Sequence, residues 1–294
     1  VTSSQDIHKI YGGVVPELAS REHQKLITSV VNEAIIRAGI NKGELNTVAF
    51  TRGPGLLGSL LVGTSFAKSL SIGLNIPLIE VNHMQAHILS IFIKNNGKAP
   101  CFPFLALTVS GGHTQLVIVK DYFKMEEIGS TLDDAVGEAF DKSGKTIGLE
   151  YPSGPIIDRL SKDGDPNAFT FTKPKVEGLN FSFSGLKTGF MNFIKKESSK
   201  NKNFIKDNLN NICASIQNTI VEILIDKLND AVKTTGIKEI VICGGVSANS
   251  ELRKKMNDLS VSNKWNVYFP KIEYCTDNAA MIGIVGYLKY KNQE

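Results

Sequence analysis

Pro77-Leu-Ile-Glu-Val-Asn82 runs straight into His83-Met-Gln-Ala-His87, and this stretch sets the fold class. The first six residues are a short apolar run that reads as a buried strand. The next five put two histidines at i and i+4, on one face of a helix, with Cβ atoms about 6 Å apart. A strand that turns at once into a helix is half of a βαβ unit. In open α/β sheets, ligands gather at the carboxyl ends of the strands. The chain therefore reads as α/β, with a histidine pair of metal-binding spacing where a ligand belongs. In the hydrolytic zinc motif of this spacing a glutamate follows the first histidine and acts as general base. Here Met84 stands in that place. The pair suits a metal that holds and polarises a substrate better than one that delivers water to a peptide bond. A solvated helix face is the plain alternative, and spacing alone does not decide between the two.

Working outward, helical and extended segments alternate. Pro16 to Gly39 is an amphipathic helix that follows the Gly12-Gly13 turn and ends at a glycine cap. Thr47 to Thr51 is a strand. Leu57 to Leu74 is a helix rich in small residues (Gly58, Ser59, Gly63, Thr64, Ser65, Ala67), able to lie close to a neighbour. Phe104-Leu-Ala-Leu-Thr-Val109 and Thr114-Gln-Leu-Val-Ile-Val119 flank Ser110-Gly-Gly-His113 and form a hairpin with a glycine turn. Phe204 to Thr235 is the longest helix. Ile205, Leu209, Ile212, Ile216, Ile220, Ile223, Leu224 and Leu228 make one apolar stripe on it, which reads as core. Lys238 to Cys243 is a buried strand that opens into Gly244-Gly245, with a helix over Ser250 to Leu259 after it. Asp277 falls in the first turn of a terminal helix reaching Tyr290.

Bulk properties bound the answer loosely. With 294 residues, two domains are the expectation. Hydrophobic content of 42% with 21% charged residues is that of an ordinary globular chain. No apolar run reads as long enough to span a membrane, and no signal peptide opens the sequence. The formal charge of +4 permits nucleic acid as a partner without demanding it. Cys101, Cys213, Cys243 and Cys275 lie far apart with no CxxC, so reduced thiols are expected rather than a disulfide framework or a structural zinc cluster.

Two glycine loops could receive a ligand. Gly244-Gly245 follows a strand and precedes a helix, where exposed amides favour an anion or phosphate. Ser110-Gly-Gly-His113 offers a second set of amides. Glycine pairs are common in turns, so each alone is weak. Two of them beside a metal pair suggest a nucleotide held between lobes. Neither is a P-loop and neither fits the dinucleotide fingerprint. No nucleophile–base pair stands out among the serines and cysteines. The catalytic residue is unassigned: His113 is a candidate general base, and hydrogen bonding to phosphate is its plainer role. Asp141 and Asp158, read alone, are solvated or salt-bridged carboxylates.

The motifs Tyr11-Gly-Gly-Val-Val-Pro-Glu-Leu-Ala-Ser-Arg-Glu-His23, Thr51-Arg-Gly-Pro-Gly55, Asn82-His-Met-Gln-Ala-His87, Val109-Ser-Gly-Gly-His-Thr114, Gly137-Glu-Ala-Phe-Asp141, Tyr151-Pro-Ser-Gly154, Phe181-Ser-Phe-Ser-Gly-Leu-Lys187, Gly244-Gly-Val-Ser-Ala-Asn249 and Thr276-Asp-Asn278 occur in order through nearly the whole chain. Together they resemble the tRNA N6-adenosine threonylcarbamoyltransferase family, formerly labelled O-sialoglycoprotein endopeptidase. The resemblance implies an actin-like ATPase fold: α/β, two lobes around a nucleotide cleft. It places 1–120 with 275–294 in an N-terminal lobe carrying the metal site, and 121–274 in a second lobe. It implies transfer of a threonylcarbamoyl group from threonylcarbamoyl-AMP to N6 of adenosine 37 in tRNAs that read ANN codons. By motif, the metal ligands are His83, His87 and Asp277. The substrate-binding positions are Val109, Ser110, Gly111, Gly112, His113, Asp141, Gly154, Asp158, Gly244, Gly245 and Asn249. One divalent metal per subunit is implied, Fe2+ first and Zn2+ or Mg2+ as alternatives, since two histidines and a carboxylate suit either iron or zinc. The family's first strands, with a Glu-Thr-Ser-Cys-Asp-Glu-Thr type loop, are expected ahead of residue 1.

The implied partners are tRNA and threonylcarbamoyl-AMP. If the chain is bacterial, an inactive paralogue subunit and a small P-loop ATPase join them; the expected location is cytoplasmic, with no membrane contact. For tRNA, Lys173, Lys175, Lys187, Lys195, Lys196, Lys200, Lys202 and Lys206 interleave with Phe181, Phe183, Phe190 and Phe193. Basic side chains track phosphates and aromatics can stack a base; a solvated lysine face over a phenylalanine core is the plain alternative. Two other activities stay open at this point: a zinc metalloendopeptidase, which Met84 opposes, and an actin-like ATPase or kinase module, which would not expect the histidine pair.

Overall fold

The computed structural model describes residues 1, 11, 13–93 and 99–292; residue 12 of the expected Gly12-Gly13 turn lies outside them. The chain divides into two compact units, Val1–Ile93 with Asn278–Glu294, and Lys94–Asp277.

The first unit contains α1 (Pro16–Ala38), β1 (Val48–Gly53), α2 (Leu57–Leu74), β2 (Leu78–Asn82), α3 (His83–Leu89) and α9 (Ala279–Asn292). Pro16 starts α1 because it needs no amide partner there, and Gly39 ends it in the left-handed region at φ 68°. β1 and β2 are parallel, with Ala49 opposite Ile79 and Thr51 opposite Val81. Along β2, Ile79 and Val81 are buried while Glu80 is exposed. The strand is thus one-faced rather than fully buried, and β1 is its one partner among the described residues. Gly286 brings α9 onto β1: a Cβ there would lie 2.5 Å from Ala49 Cβ. Gly58 does the same between α2 and Ser20 of α1. Only Lys68 interrupts the apolar and small residues of α2, so this helix is long and apolar enough, by length and composition, to cross a membrane. That differs from the expectation that no run reaches such a length.

The second unit is built on a five-stranded sheet in the order β5-β4-β3-β6-β7. β3 (Phe104–Val109), β4 (Thr114–Asp121) and β5 (Lys124–Ser130) form an antiparallel meander, and the expected hairpin closes with Val109 opposite Thr114. β6 (Glu239–Cys243) runs parallel to β3, and β7 (Asn266–Tyr268) parallel to β6. All six residues of β3 are buried, as a central strand demands. The expected boundary near residue 120 differs from the division found, since pairing of β3 with β6 binds residues 104–121 to this unit's sheet.

Five helices complete this unit: α4 (Val136–Thr146), α5 (Gly154–Ser161), α6 (Ser184–Lys200), α7 (Phe204–Thr235) and α8 (Ser250–Asn263). Ile212, Ile216, Ile220, Ile223, Leu224 and Leu228 of α7 are buried as the stripe predicts. The stripe is not continuous. Asn208 leaves helical geometry at φ −123°, with its side chain donating to the Phe204 carbonyl at 2.9 Å, and Ile205 and Leu209 on either side are only partly buried. Phe181, Phe183 and Phe190 are fully enclosed in the core, and Phe193 packs against it.

Candidate metal centre and glycine turns

The histidine pair begins at Asn82, which closes β2 and caps α3. Its Oδ1 accepts from the amides of Met84 at 2.9 Å and Gln85 at 3.1 Å, satisfying donors that the helix leaves open. The cap fixes where α3 starts, so His83 is its first residue and His87 lies one turn on. His87 is buried and His83 half-buried. Their rings meet edge to face, with centroids 4.7 Å apart. Asp277 directly precedes Asn278, the residue at which the chain re-enters the first unit. Asn278 Oδ1 accepts the Met281 amide at 2.9 Å and caps α9, which begins at Ala279. Asp277 is therefore not in the helix's first turn, as the sequence suggested; the asparagine takes the cap and leaves the aspartate just ahead of it. Even so, one ligand atom from each of His83, His87 and Asp277 lies within 4.8 Å of the others. Metal–ligand bonds of about 2.0–2.2 Å put ligand atoms roughly 3–4 Å from one another, so the spacing found is near that of a shared ion. The donor set fits a divalent transition metal: two imidazole nitrogens and one carboxylate oxygen. Met84 is buried where a peptidase would hold its carboxylate.

The glycine turns both leave the carboxyl ends of neighbouring parallel strands of the second unit. Ser110–His113 follows β3 and Gly244-Gly245 follows β6. The first turn is closed by Ser110 N–H to His113 O at 2.9 Å and His113 N–H to Ser110 Oγ at 3.1 Å. Gly111 and Gly112 are exposed, His113 is half-buried, and Val109 is enclosed. Gly244 sits at φ 91°, and a Cβ there would run into the Val109 carbonyl oxygen, so only glycine fits. Gly245 has room: its nearest neighbour would be Thr276 Cγ2 at 3.8 Å. Ser247, in the short 3-10 turn that follows, has a fully buried hydroxyl with no hydrogen-bond partner among the described residues.

The remaining expected site residues turn out to cap helices. Asp141 Oδ1 accepts the Ser153 amide at 2.7 Å, and the Gly154 amide also bonds to this carboxylate, so Asp141 holds the start of α5. Burial pushes its pKa up, and those two amides only partly offset it. Asp158 Oδ1 accepts the Ser250 amide at 3.0 Å and its hydroxyl at 2.8 Å, at the start of α8. Asn249 caps the same helix through Leu252 N–H at 3.0 Å, while its Nδ2 donates to Gln217 Oε1 at 2.7 Å. Gly154 is the first residue of α5, with Phe140 Cβ at 3.8 Å from a Cβ built on it. Among the described residues neither aspartate makes an ion pair; both carboxylates are half-buried and spent on backbone amides, where the plain reading has them solvated or salt-bridged. Asp133 and Asp134 form a further carboxylate pair that sequence reading missed. Asp133 accepts the Phe183 amide at 2.8 Å and the Ser182 hydroxyl, at the start of α6. Asp134 holds Lys142 at 2.7 Å and Lys187 at 2.9 Å. Despite some burial, these partners keep both carboxyls below the usual aspartate value. Ser182, Phe183 and Lys187 lie about fifty residues away in sequence, and no local pattern announces them; only Lys142, eight residues on from Asp134, is near in the chain.

The sequence model of the family described as tRNA N6-adenosine threonylcarbamoyltransferase matches residues 1–284. A protein of that name from Christiangramia forsetii is 60% identical over 100% of this chain and 87% of its own length. One from Riemerella anatipestifer is also 60% identical, over 100% and 86%. The chain belongs to this family. Members are acyltransferases that modify tRNA, and the family binds a divalent metal. Among solved structures, full-length HypF in its phosphate- and nucleotide-bound form shares the fold, with a TM-score of 0.61 at 16% identity, over 88% of this chain and 41% of that one. The HypF of T. kodakarensis matches equally, at 14% identity and a TM-score of 0.61, over 87% and 42%. The α/β, actin-like ATPase fold expected from the sequence holds.

Two of the thiols, Cys213 and Cys243, are unsuited to nucleophilic chemistry. All four cysteines are free, and burial pushes Cys213 and Cys243 up to about 12, far from a reactive thiolate. The basic cluster is thinner than the sequence suggested. Lys173 is paired with Glu222 and Asp226, Lys187 with Asp134, and Lys200 with Glu197. With the phenylalanines in the core, no base-stacking role is left for Phe181, Phe183 or Phe190.

Proposed function

We propose that this chain transfers the threonylcarbamoyl group from threonylcarbamoyl-AMP to N6 of adenosine 37 in tRNAs that read ANN codons. The observation that carries the reading is the close approach of His83, His87 and Asp277 with Met84 in the place of a hydrolytic base. The adenine N6 attacks the carbamoyl carbon, a new C–N bond forms, the bond to the phosphate oxygen breaks, and AMP leaves with the electron pair. N6 gives up a proton in this step. AMP is a good leaving group, so the protein has to position, stabilise charge and exclude water rather than form a covalent intermediate. His83, His87 and Asp277 would hold one Fe2+, with Zn2+ or Mg2+ as alternatives. The ion, when bound, supplies Lewis acidity toward phosphate or acyl oxygens.

In this reading Val109 to His113, Gly244 and Gly245 seat the adenylate along their backbone, with the His113 side chain hydrogen-bonding phosphate while the Ser110 and His113 amides close the turn itself. Asp141, Gly154, Asp158 and Asn249 line the same seat while holding the starts of α5 and α8. The open flank of Gly111 and Gly112 and the unpartnered Ser247 hydroxyl support this placement. Lys195 and Lys196 on α6, exposed and without an ion pair among the described residues, track tRNA phosphates. The chain works in the cytoplasm with an inactive paralogue subunit and a small P-loop ATPase. The test is mass analysis of tRNA nucleosides after incubation with threonine, bicarbonate, ATP and those partners. Threonylcarbamoyl-adenosine that depends on this chain supports the reading; its absence with an active partner set rejects it.

A further inference from the structure

The first turn of α4 packs against the Ser110–His113 turn. A helix leaves its first amides without partners inside the helix. Here two of them go to the turn: Val136 N–H donates to Thr114 Oγ1 at 2.9 Å and Gly137 N–H to the Ser110 carbonyl at 3.1 Å. Thr114 is buried, and its own carbonyl accepts from Thr131 N–H at 2.9 Å. The start of α4 is therefore tied to both ends of the turn, at Ser110 and just past His113. These amides are not left over to bind an anion.

The steric evidence is one-sided. A Cβ on Gly137 would lie 2.7 Å from Gly111 Cα, 2.8 Å from Ser110 O and 2.9 Å from Gly111 N. All three are backbone atoms, so only a movement of the turn or the helix relieves the clash. Gly111 and Gly112 themselves meet nothing within 4 Å and have no left-handed φ. The fold needs glycine at 137 and needs none at 111 or 112.

We propose that Gly137 and Thr114 are positioning residues for the acyl-adenylate. They fix where the backbone of Ser110–Gly112 stands, without touching the ligand themselves. This rests on the reading of that turn as the adenylate's seat. AMP binding to the full chain, measured by calorimetry, tests it, with tRNA affinity and melting temperature as companions. Thr114→Val removes the hydroxyl at nearly constant volume, Thr114→Ser keeps it, and Gly137→Ala inserts the Cβ. Thr114→Val and Gly137→Ala should each weaken AMP binding about tenfold or more, because small misplacements of a positioned group are expensive. Thr114→Ser should restore it, and tRNA affinity should hold throughout. Gly164→Ala is the stability control: its Cβ would meet the Asn210 carbonyl, far from the turn in sequence, and should lower the melting temperature without altering AMP affinity. Gly112→Val probes the seat directly from its open side. If Gly112→Val binds AMP like wild type, the turn is not the seat and the reading of the site fails, taking this proposal with it. If Gly112→Val weakens AMP binding while Thr114→Val does not, the seat stands and the positioning proposal is overturned. Should Gly137→Ala fail to fold, the Thr114 pair decides.

Discussion

The candidate metal centre and the glycine turns are built from opposite materials. The first is made of side chains that one helical turn aligns, with a cap at Asn82 setting their phase. The second is made of backbone, and what holds it is the lack of a side chain at Gly137 and Gly244. A side-chain site fails by losing a donor while its frame survives. A backbone site fails by gaining an atom, and then frame and site move together. Substitutions should separate the two modes.

The largest effect belongs to the histidines. His83→Ala or His87→Ala should abolish stoichiometric metal binding and nearly all transfer, because two ligands hold a divalent ion poorly, while melting of the metal-free protein changes little. Elemental analysis after dialysis checks this, and full metal occupancy in either variant would falsify the ligand set. Next, Gly244→Ala should destabilise the fold by roughly 1–3 kcal/mol, since it forces a side chain into the left-handed region against the Val109 carbonyl. Denaturant titration reads it out. Gly245→Val sharpens the contrast: with ordinary room around it, the fold should survive while AMP affinity drops. Equal stability losses at 244 and 245 would remove the distinction between a glycine kept for the fold and one kept for a ligand.

A smaller effect concerns acid. Asp133 and Asp134 have carboxyls held below their ordinary value of 3.8, so they contribute stability that is present above that pH and lost as pH falls through the lowered values. Asp134→Asn should therefore flatten the acid limb of the melting-temperature profile below about pH 4, with little change in metal content. An unchanged acid limb would detach this pair from the stability of α4 and α6. The smallest effect is expected at the surface. Lys195 and Lys196 are exposed and have no ion pair among the described residues. Replacing both with alanine should lower the slope of log affinity for tRNA against log salt by about 1–2. A salt titration with identical slopes would take α6 off the tRNA path.

The same contrast explains what could be read in advance. The histidine spacing, the hairpin around Ser110–His113 and the apolar stripe of α7 are local patterns, each complete within a few turns of chain. The break at Asn208 escaped notice because it depends on one side chain bonding back to its own helix. The expected boundary near residue 120 and the division by contacts differ for another reason: besides β4, β3 pairs with β6, more than a hundred residues on, and nothing in residues 104–121 says so. The roles of Asp133, Asp134, Thr114 and Gly137 likewise depend on partners brought close only by the fold. Lysines looked like a nucleic-acid face until Glu222, Asp226, Asp134 and Glu197 took three of them. Asp277 was legible only through the family motif, being nearly two hundred residues from the histidines it approaches.

Asp141, Asp158 and Asn249 each hold the first amides of a helix. Deleting any of them therefore asks two questions at once. An alanine at Asp141 unties α5 as well as removing a carboxylate, so a dead enzyme would report architecture in the guise of chemistry. Asp141→Asn asks a narrower one: the amide oxygen can still receive Ser153 N–H, while the negative charge is gone. A mutational scan by alanine would overcount the catalytic machinery of this unit, and a scan by isosteres would count it fairly.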